Sequence, residues 1–249
     1  MNNYKGLWNK EMKMMKGFQL VVIIVMLGMI FWSLFLNNDS DNFQNFWEVI
    51  AILNLGLVLM PATLLFSLNM EVHQLSLLLY NRNAIFRTIQ VKFLHSIRVT
   101  LVFFGWMTIF LFVLKWINYL EVTSNTLISI LFVLFHYTFM IGLWLNVIVY
   151  AAWVIHRMLI TRVGFPISIL CLVGLAILFS KLFSWSEPFI NWIGSLWTIS
   201  FSYFEDLALD LIFITQYNQI SLSLFIFTVG ILWLLYYLFT LLLEKKVEV

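Results

Sequence analysis

Only 10% of the residues in this sequence are charged, set against 63% hydrophobic residues and a mean hydropathy of +0.97. A soluble domain carries about 25% charge, so there is too little here to solvate a water-facing surface around so much apolar side chain. Cysteine occurs once, at Cys171, which excludes an intrachain disulfide and any Cys/His metal spacing. Proline occurs three times, so few breakers interrupt the apolar runs. No G-x-x-x-x-G-K-[ST] stretch is present, and with it go the backbone cradle and the lysine that hold a nucleotide triphosphate. The chain has no means of hydrolysing ATP by itself, and ATP with its Mg would belong to another subunit.

What remains is long hydrophobic runs. Six stand out, at about 17–36, 48–68, 99–118, 126–155, 163–183 and 222–243, each reaching or exceeding the roughly 20 apolar residues that a membrane crossing requires. Inside hydrocarbon every backbone polar group must be bonded within the segment, and unbroken runs of Leu, Ile, Val and Phe do this as helices rather than as barrel strands. The expected fold is all-α: one integral membrane domain over residues 1–249 with six transmembrane helices. Pro61 and Pro166 fall inside the second and fifth runs, where a missing donor kinks a helix. The first run follows a basic start but leads into Asn37, Asn38 and Asp39 without a cleavage pattern, and is read as a retained helix.

Orientation follows from charge. Lys5, Lys10, Lys13, Lys16, Arg82, Arg87, Lys92, Arg98, Arg157, Arg162, Lys245 and Lys246 all flank the spans on one side, which leaves only Lys115 and Lys181 of the 14 basic residues for the other. Acids run the opposite way, through Asp39, Asp41, Glu48, Glu121, Glu187, Glu205, Asp206 and Asp210. Under the positive-inside rule both termini are cytoplasmic. The net charge of +2 hides this separation and gives no reason to expect nucleic acid as a partner.

Between the spans three segments have character. Over about 3–16, Tyr4, Leu7, Trp8, Met12 and Met15 recur at helical spacing with Lys5, Lys13 and Lys16 opposite, which describes an amphipathic helix anchored in the membrane interface, or else a basic topology flank. From Asn69 to Arg98 the pattern reads as helix, turn, helix: a leucine stripe, the Asn81-Arg82-Asn83 turn cluster, then Ile85, Phe86, Ile89, Phe93 and Ile97 beside basic residues. Such an element either lies on the membrane or docks a cytoplasmic partner. Ser184 to Ser221 is rich in Trp, Tyr and Phe, as expected of short helices lying in the outer interface.

Catalytic constellations are wanting. There is no H-E-x-x-H, and the four histidines, His73, His95, His136 and His156, are scattered. Gly194-Ser195 lacks a histidine partner for a serine nucleophile, and Phe132 with His136 matches a prenyl-endopeptidase element whose paired glutamates are missing. Polar residues deep in the spans, Asn54, His136 and Asn146 above all, are expected to hydrogen-bond between helices. Ion-coupled transporters keep buried titratable groups, and deep in the spans read here only His136 qualifies.

The plan as a whole, with the segments "LWNKEMKMMKGFQL" at Leu7–Leu20, "HQLSLLLYNRNAIFRTIQVKFL" at His73–Leu94 and "LLEKKVEV" at Leu242–Val249, resembles the permease subunits of type 2 ABC exporters of Gram-positive bacteria, among them those serving phenol-soluble modulin export and lantibiotic immunity. The turn departs from the pattern of those relatives, having Tyr80-Asn81-Arg82-Asn83 without proline. The resemblance implies a bacterial plasma-membrane protein that pairs as a homodimer or with a sister permease and binds two ABC ATPase subunits. It also implies export of amphipathic or hydrophobic substrates, peptides first, and a coupling helix joining the second and third spans. The residues placed in that coupling role are Leu77, Leu78, Leu79, Tyr80, Asn81, Arg82, Asn83, Ile85 and Phe86. A secondary transporter or channel, and a membrane-embedded accessory protein, are the alternatives from the residues alone.

Overall fold

The computed structural model describes residues 2–35, 42–71, 82–116, 124–200 and 219–247. Among these, helices follow one another as α1 (Asn2–Met14), α2 (Lys16–Phe35), α3 (Asn42–Met70), α4 (Arg82–Trp116), α5 (Ser124–Val163), α6 (Phe165–Gly194) and α7 (Leu222–Val247). The exception to helix is a short antiparallel pair, β1 (Thr198–Ser200) with β2 (Gln219–Ser221), in which Ile199 faces Ile220. As far as the described residues go, five of the six apolar runs lie within helices, and the fifth, 163–183, crosses the break at Gly164 into α6. Among the described residues three helical segments are long and apolar enough to cross a membrane, Ile85–Trp116, Thr138–Ile160 and Leu222–Glu244. A fourth is reached if Phe165–Lys181 and Ser184–Gly194, bent by 47° from each other, count as one.

Three boundaries differ from the sequence reading. The second half of the expected helix-turn-helix is not a separate element: α4 runs without a break for 35 residues, because nothing between Arg82 and Trp116 is a proline and Gly105 alone does not stop a helix. Pro166 does not kink a span; it stands in the first turn of α6, where its N–H would have no helical partner in any case. The chain reverses there through Gly164, whose φ of +78° suits glycine. The aromatic segment after Lys181 continues α6 rather than starting afresh, and the bend is explained by Pro188, which removes the donor that would bond the Ser184 carbonyl.

The chain divides into two units, residues 1–150 with 240–249, and residues 151–239. In the first, α3 packs on α4, with Gly56 opposite Phe104 and Ser67 opposite Lys92; Met60, Leu64 and Leu68 at four-residue spacing on α3 and Phe103, Met107 and Leu111 on α4 are all buried. Close approach is set by Gly56: a Cβ there would lie 2.9 Å from Phe104 Cε2 and 3.3 Å from Thr138 Cγ2. The Phe104 ring is itself held edge-on by Phe103 and Phe135, with centroids 5.9 and 5.5 Å away. Tyr150 of α5 is fully buried, its hydroxyl 3.0 Å from Thr240 Oγ1 of α7.

In the second unit, α6 and α7 are joined at one end by the strand pair, by Ser223 Oγ donating to the Ile193 carbonyl at 2.6 Å, and by Phe189 edge-on to Phe227. His156 Nδ1 lies 2.9 Å from Ser168 Oγ across the Gly164 turn. Much of the α6 and α7 surface is large apolar side chain, with Leu170 69% and Trp233 65% exposed, as expected of helices solvated by lipid.

Candidate functional site: a buried charge network

Four charged side chains converge where α1, α3 and α4 meet. Lys92, in the third turn of α4, is 2% exposed and its ammonium has oxygen acceptors around it: Glu11 Oε2 at 3.1 Å, the Ser67 carbonyl at 3.0 Å and Ser67 Oγ at 2.6 Å. Glu71 Oε2 adds a charge contact at 3.0 Å without hydrogen-bond alignment. Ser67 donates its hydroxyl to Glu11 Oε1. Lys10, which is half exposed, reaches Glu71 Oε1 at 2.7 Å. Two carboxylates are thus matched by two ammonium groups, and the bare Born cost of burying each ion is offset only because its hydrogen-bonding capacity is taken up.

The helices that carry these groups explain the convergence. Glu71 follows the last turn of α3, Ser67 lies four residues before it on the same face, and Glu11 sits on the apolar side of α1 in line with Tyr4, Trp8 and Met15. Around the ion network α1 is held along α4 by aromatic contacts. The Tyr4 hydroxyl donates to Gln90 Oε1 at 2.7 Å, and the Arg87 guanidinium stands 5.7 Å above the Tyr4 ring. Trp8 meets His95 edge-on at 5.9 Å and takes Arg98 over its face at 5.6 Å, and Arg98 also donates toward Met12 Sδ. Met15 is fully buried and Leu7 half-buried. Of the side chains expected at the interface, Tyr4, Trp8 and Met12 have contacts on α4, where the acid on the apolar face of α1 also finds its counter-charge.

Beyond the ion cluster, a second polar layer runs into the bundle. Gln19 Nε2 lies 3.2 Å from His95 Nε2, and Asn146 Nδ2 donates to Ser96 Oγ at 3.0 Å. Asn146 is completely buried, whereas His136 is half-buried on α5 and Asn54 belongs to α3 with its side chain outside the described residues. Of the coupling residues named from the sequence, Leu77, Leu78, Leu79, Tyr80 and Asn81 lie outside the described residues. Arg82 and Asn83 open α4, Ile85 is buried and Phe86 half-buried. Glu11, Ser67 and Glu71 were not singled out by sequence, and Lys92 only as one of the basic residues flanking the spans. One signal was available: Glu11 is an acid set on the apolar stripe of a helix whose polar face is lysine. Among the described residues no group of three or more His, Cys, Asp or Glu side chains is arranged to hold a metal.

Charge matching has a pH consequence. Burial raises the affinity of the Glu71 carboxyl for a proton, but Lys92 and Lys10 more than offset this and hold it below its ordinary 4.5. A carboxylate depressed in the folded state contributes stability that is complete above the ordinary value and is lost as pH falls through the folded one. Docking of α1 is accordingly expected to be unchanged from pH 7 down to 5 and to loosen below 4.5. Electron-electron distances between spin labels at the exposed Lys13 and Leu94, in a Cys171→Ser background, check this: a single narrow distance at pH 7 that broadens in acid.

Comparison with known proteins brings no match, whether to a family model, to a curated protein or to a solved structure. Among the described residues three helices, or up to four, are long and apolar enough to cross a membrane, which with the composition suggests the class of helical membrane proteins.

Proposed function

We propose that the chain is the membrane subunit of an ATP-driven exporter of the ABC type, with six spans, both termini in the cytoplasm of a bacterial cell and the segment between α3 and α4 as the contact for a separate ATPase. The observation that carries this reading is the uninterrupted α4. It starts at Arg82, within the coupling segment read from the sequence, and continues for 35 residues into a strongly apolar stretch, about 52 Å at roughly 1.5 Å per residue. Such a rod transmits a displacement at its basic end across the full thickness of a bilayer, about 30 Å. The distribution of basic residues puts that end, and α1, on the cytoplasmic side. The apolar, aromatic walls of the helices suit an amphipathic or hydrophobic substrate, peptides first. A six-span bundle pairs with a second copy or a sister permease to enclose a path of that size.

The buried ions favour one competing reading, an ion-coupled transporter, since titratable groups inside membranes mark ion pathways. Against it, each charge in the cluster already has its counter-charge and Lys92 its full set of acceptors, leaving no vacancy for a transported ion.

Affinity purification from native membranes tests the proposal. The tagged chain is expected to bring down an ATPase subunit, and Leu78→Asp to abolish this, because an unpaired charge in a desolvated contact costs on the order of 3–5 kcal/mol. Hydrolysis by the reconstituted complex should rise with an amphipathic helical peptide and not with a scrambled peptide of equal charge. Equal responses to the two peptides would remove peptide export from the reading.

A further inference from the structure

We infer that α1 is a positioning element for the connection between α3 and α4, with Glu11 and Lys92 as its positioning residues. The consequence for an ATPase rests on the function proposed above; the clamp itself rests on geometry alone. Residues 72–81 leave α3 after Glu71 and enter α4 at Arg82, so the two helices that carry this connection are the two that supply Ser67, Glu71 and Lys92. Lys92 already ties one stem to the other through Ser67. Glu11 closes the arrangement from a third helix, one oxygen on the Ser67 hydroxyl and the other on the Lys92 ammonium.

Charge, more than apolar burial, governs this docking. Between Tyr4 and Met15 only Glu11 and Met15 are fully buried, and the remaining contacts, Tyr4 on Arg87 and Gln90 and Trp8 on Arg98, lie at half-exposed edges. A leucine at position 11 would hold a helix at least as well, since buried ion pairs commonly do no better than hydrophobic replacements. An ion network does something leucine does not: it admits a single register, because a helix displaced by one residue strands Glu11, and with it Lys92 loses a counter-charge in a dry site. Holding one register is what a segment that must present itself to a partner requires.

The test uses the full chain in detergent and in complex with the ATPase subunit that copurifies with it. Met15→Cys in a Cys171→Ser background supplies a buried thiol under α1. Its maleimide labelling is expected to rise roughly tenfold on Glu11→Gln, and to return to within about threefold when Glu11→Leu is combined with Lys92→Met, since removing both partners leaves no stranded charge. Far-ultraviolet helicity should stay unchanged throughout. ATPase capture should follow the labelling, falling with Glu11→Gln and recovering in the double variant. Protection of the thiol in Glu11→Gln overturns the clamp. Exposure of the thiol with undiminished capture overturns the positioning role. A wild-type chain that captures no ATPase defeats the functional proposal, and the clamp is then decided by labelling alone.

Discussion

Lys92→Met is expected to lower the stability of the unit that contains α1, α3 and α4 by about 3–5 kcal/mol. Methionine fills the same space without charge. It leaves Glu11 with only the Ser67 hydroxyl and Glu71 with only the half-exposed Lys10. A buried carboxylate without its counter-ion either stays ionised at high cost or takes up a proton, and in both cases α1 loses its seat. Lys92→Arg should cost less but still be felt, since a planar fork does not match acceptors spread around a point ammonium. Thermal unfolding in detergent, read alongside trypsin cleavage within α1, measures both; a wild-type midpoint for Lys92→Met would mean the ions are not buried as described.

The second large effect is expected at Gly56, where no side chain fits. An added Cβ lies 2.9 Å from Phe104, whose ring is fixed by Phe103 and Phe135, so α3 and α4 must separate. Gly56→Ala is expected to cost about 1–3 kcal/mol of overpacking, part of it offset by the roughly 1 kcal/mol that alanine gains over glycine in a helix. Gly56→Leu has no such escape and should prevent α3 from seating at all, which is read as loss of monodisperse protein on size exclusion. Gly142→Ala is the control: its Cβ would meet Met60 Cε at 3.5 Å, an ordinary contact with a flexible side chain.

Why the helices were legible and the charge network was not has a physical answer. A run such as Val21 to Phe35 declares a helix by composition alone, because no other structure satisfies its backbone in hydrocarbon. The continuity of α4 was hidden by Asn81-Arg82-Asn83 and by Arg87, Lys92 and Arg98, which read as a turn and a solvated basic rim. Whether Lys92 faces water or protein depends on a glutamate 81 positions away, and pairing over that separation leaves no local pattern. Gly56 was silent for the same reason, since the need for glycine is set by a ring on another helix. The apolar stripe of Tyr4, Trp8 and Met15 was visible, but its contacts with α4 were not; the acid at position 11 was the one residue that pointed to a counter-charge on another helix.

The most direct measurement of the central proposal, that this chain moves substrate only with a partner's ATP chemistry, is made in proteoliposomes holding either the chain alone or the chain with its copurifying ATPase, supplied in turn with ATP, with an ion gradient, and with neither. The expected result is no ATP hydrolysis and no flux of an amphipathic peptide from the chain alone under any condition, with ATP-dependent flux only in the complex. Flux driven by an ion gradient in liposomes of the chain alone would contradict it.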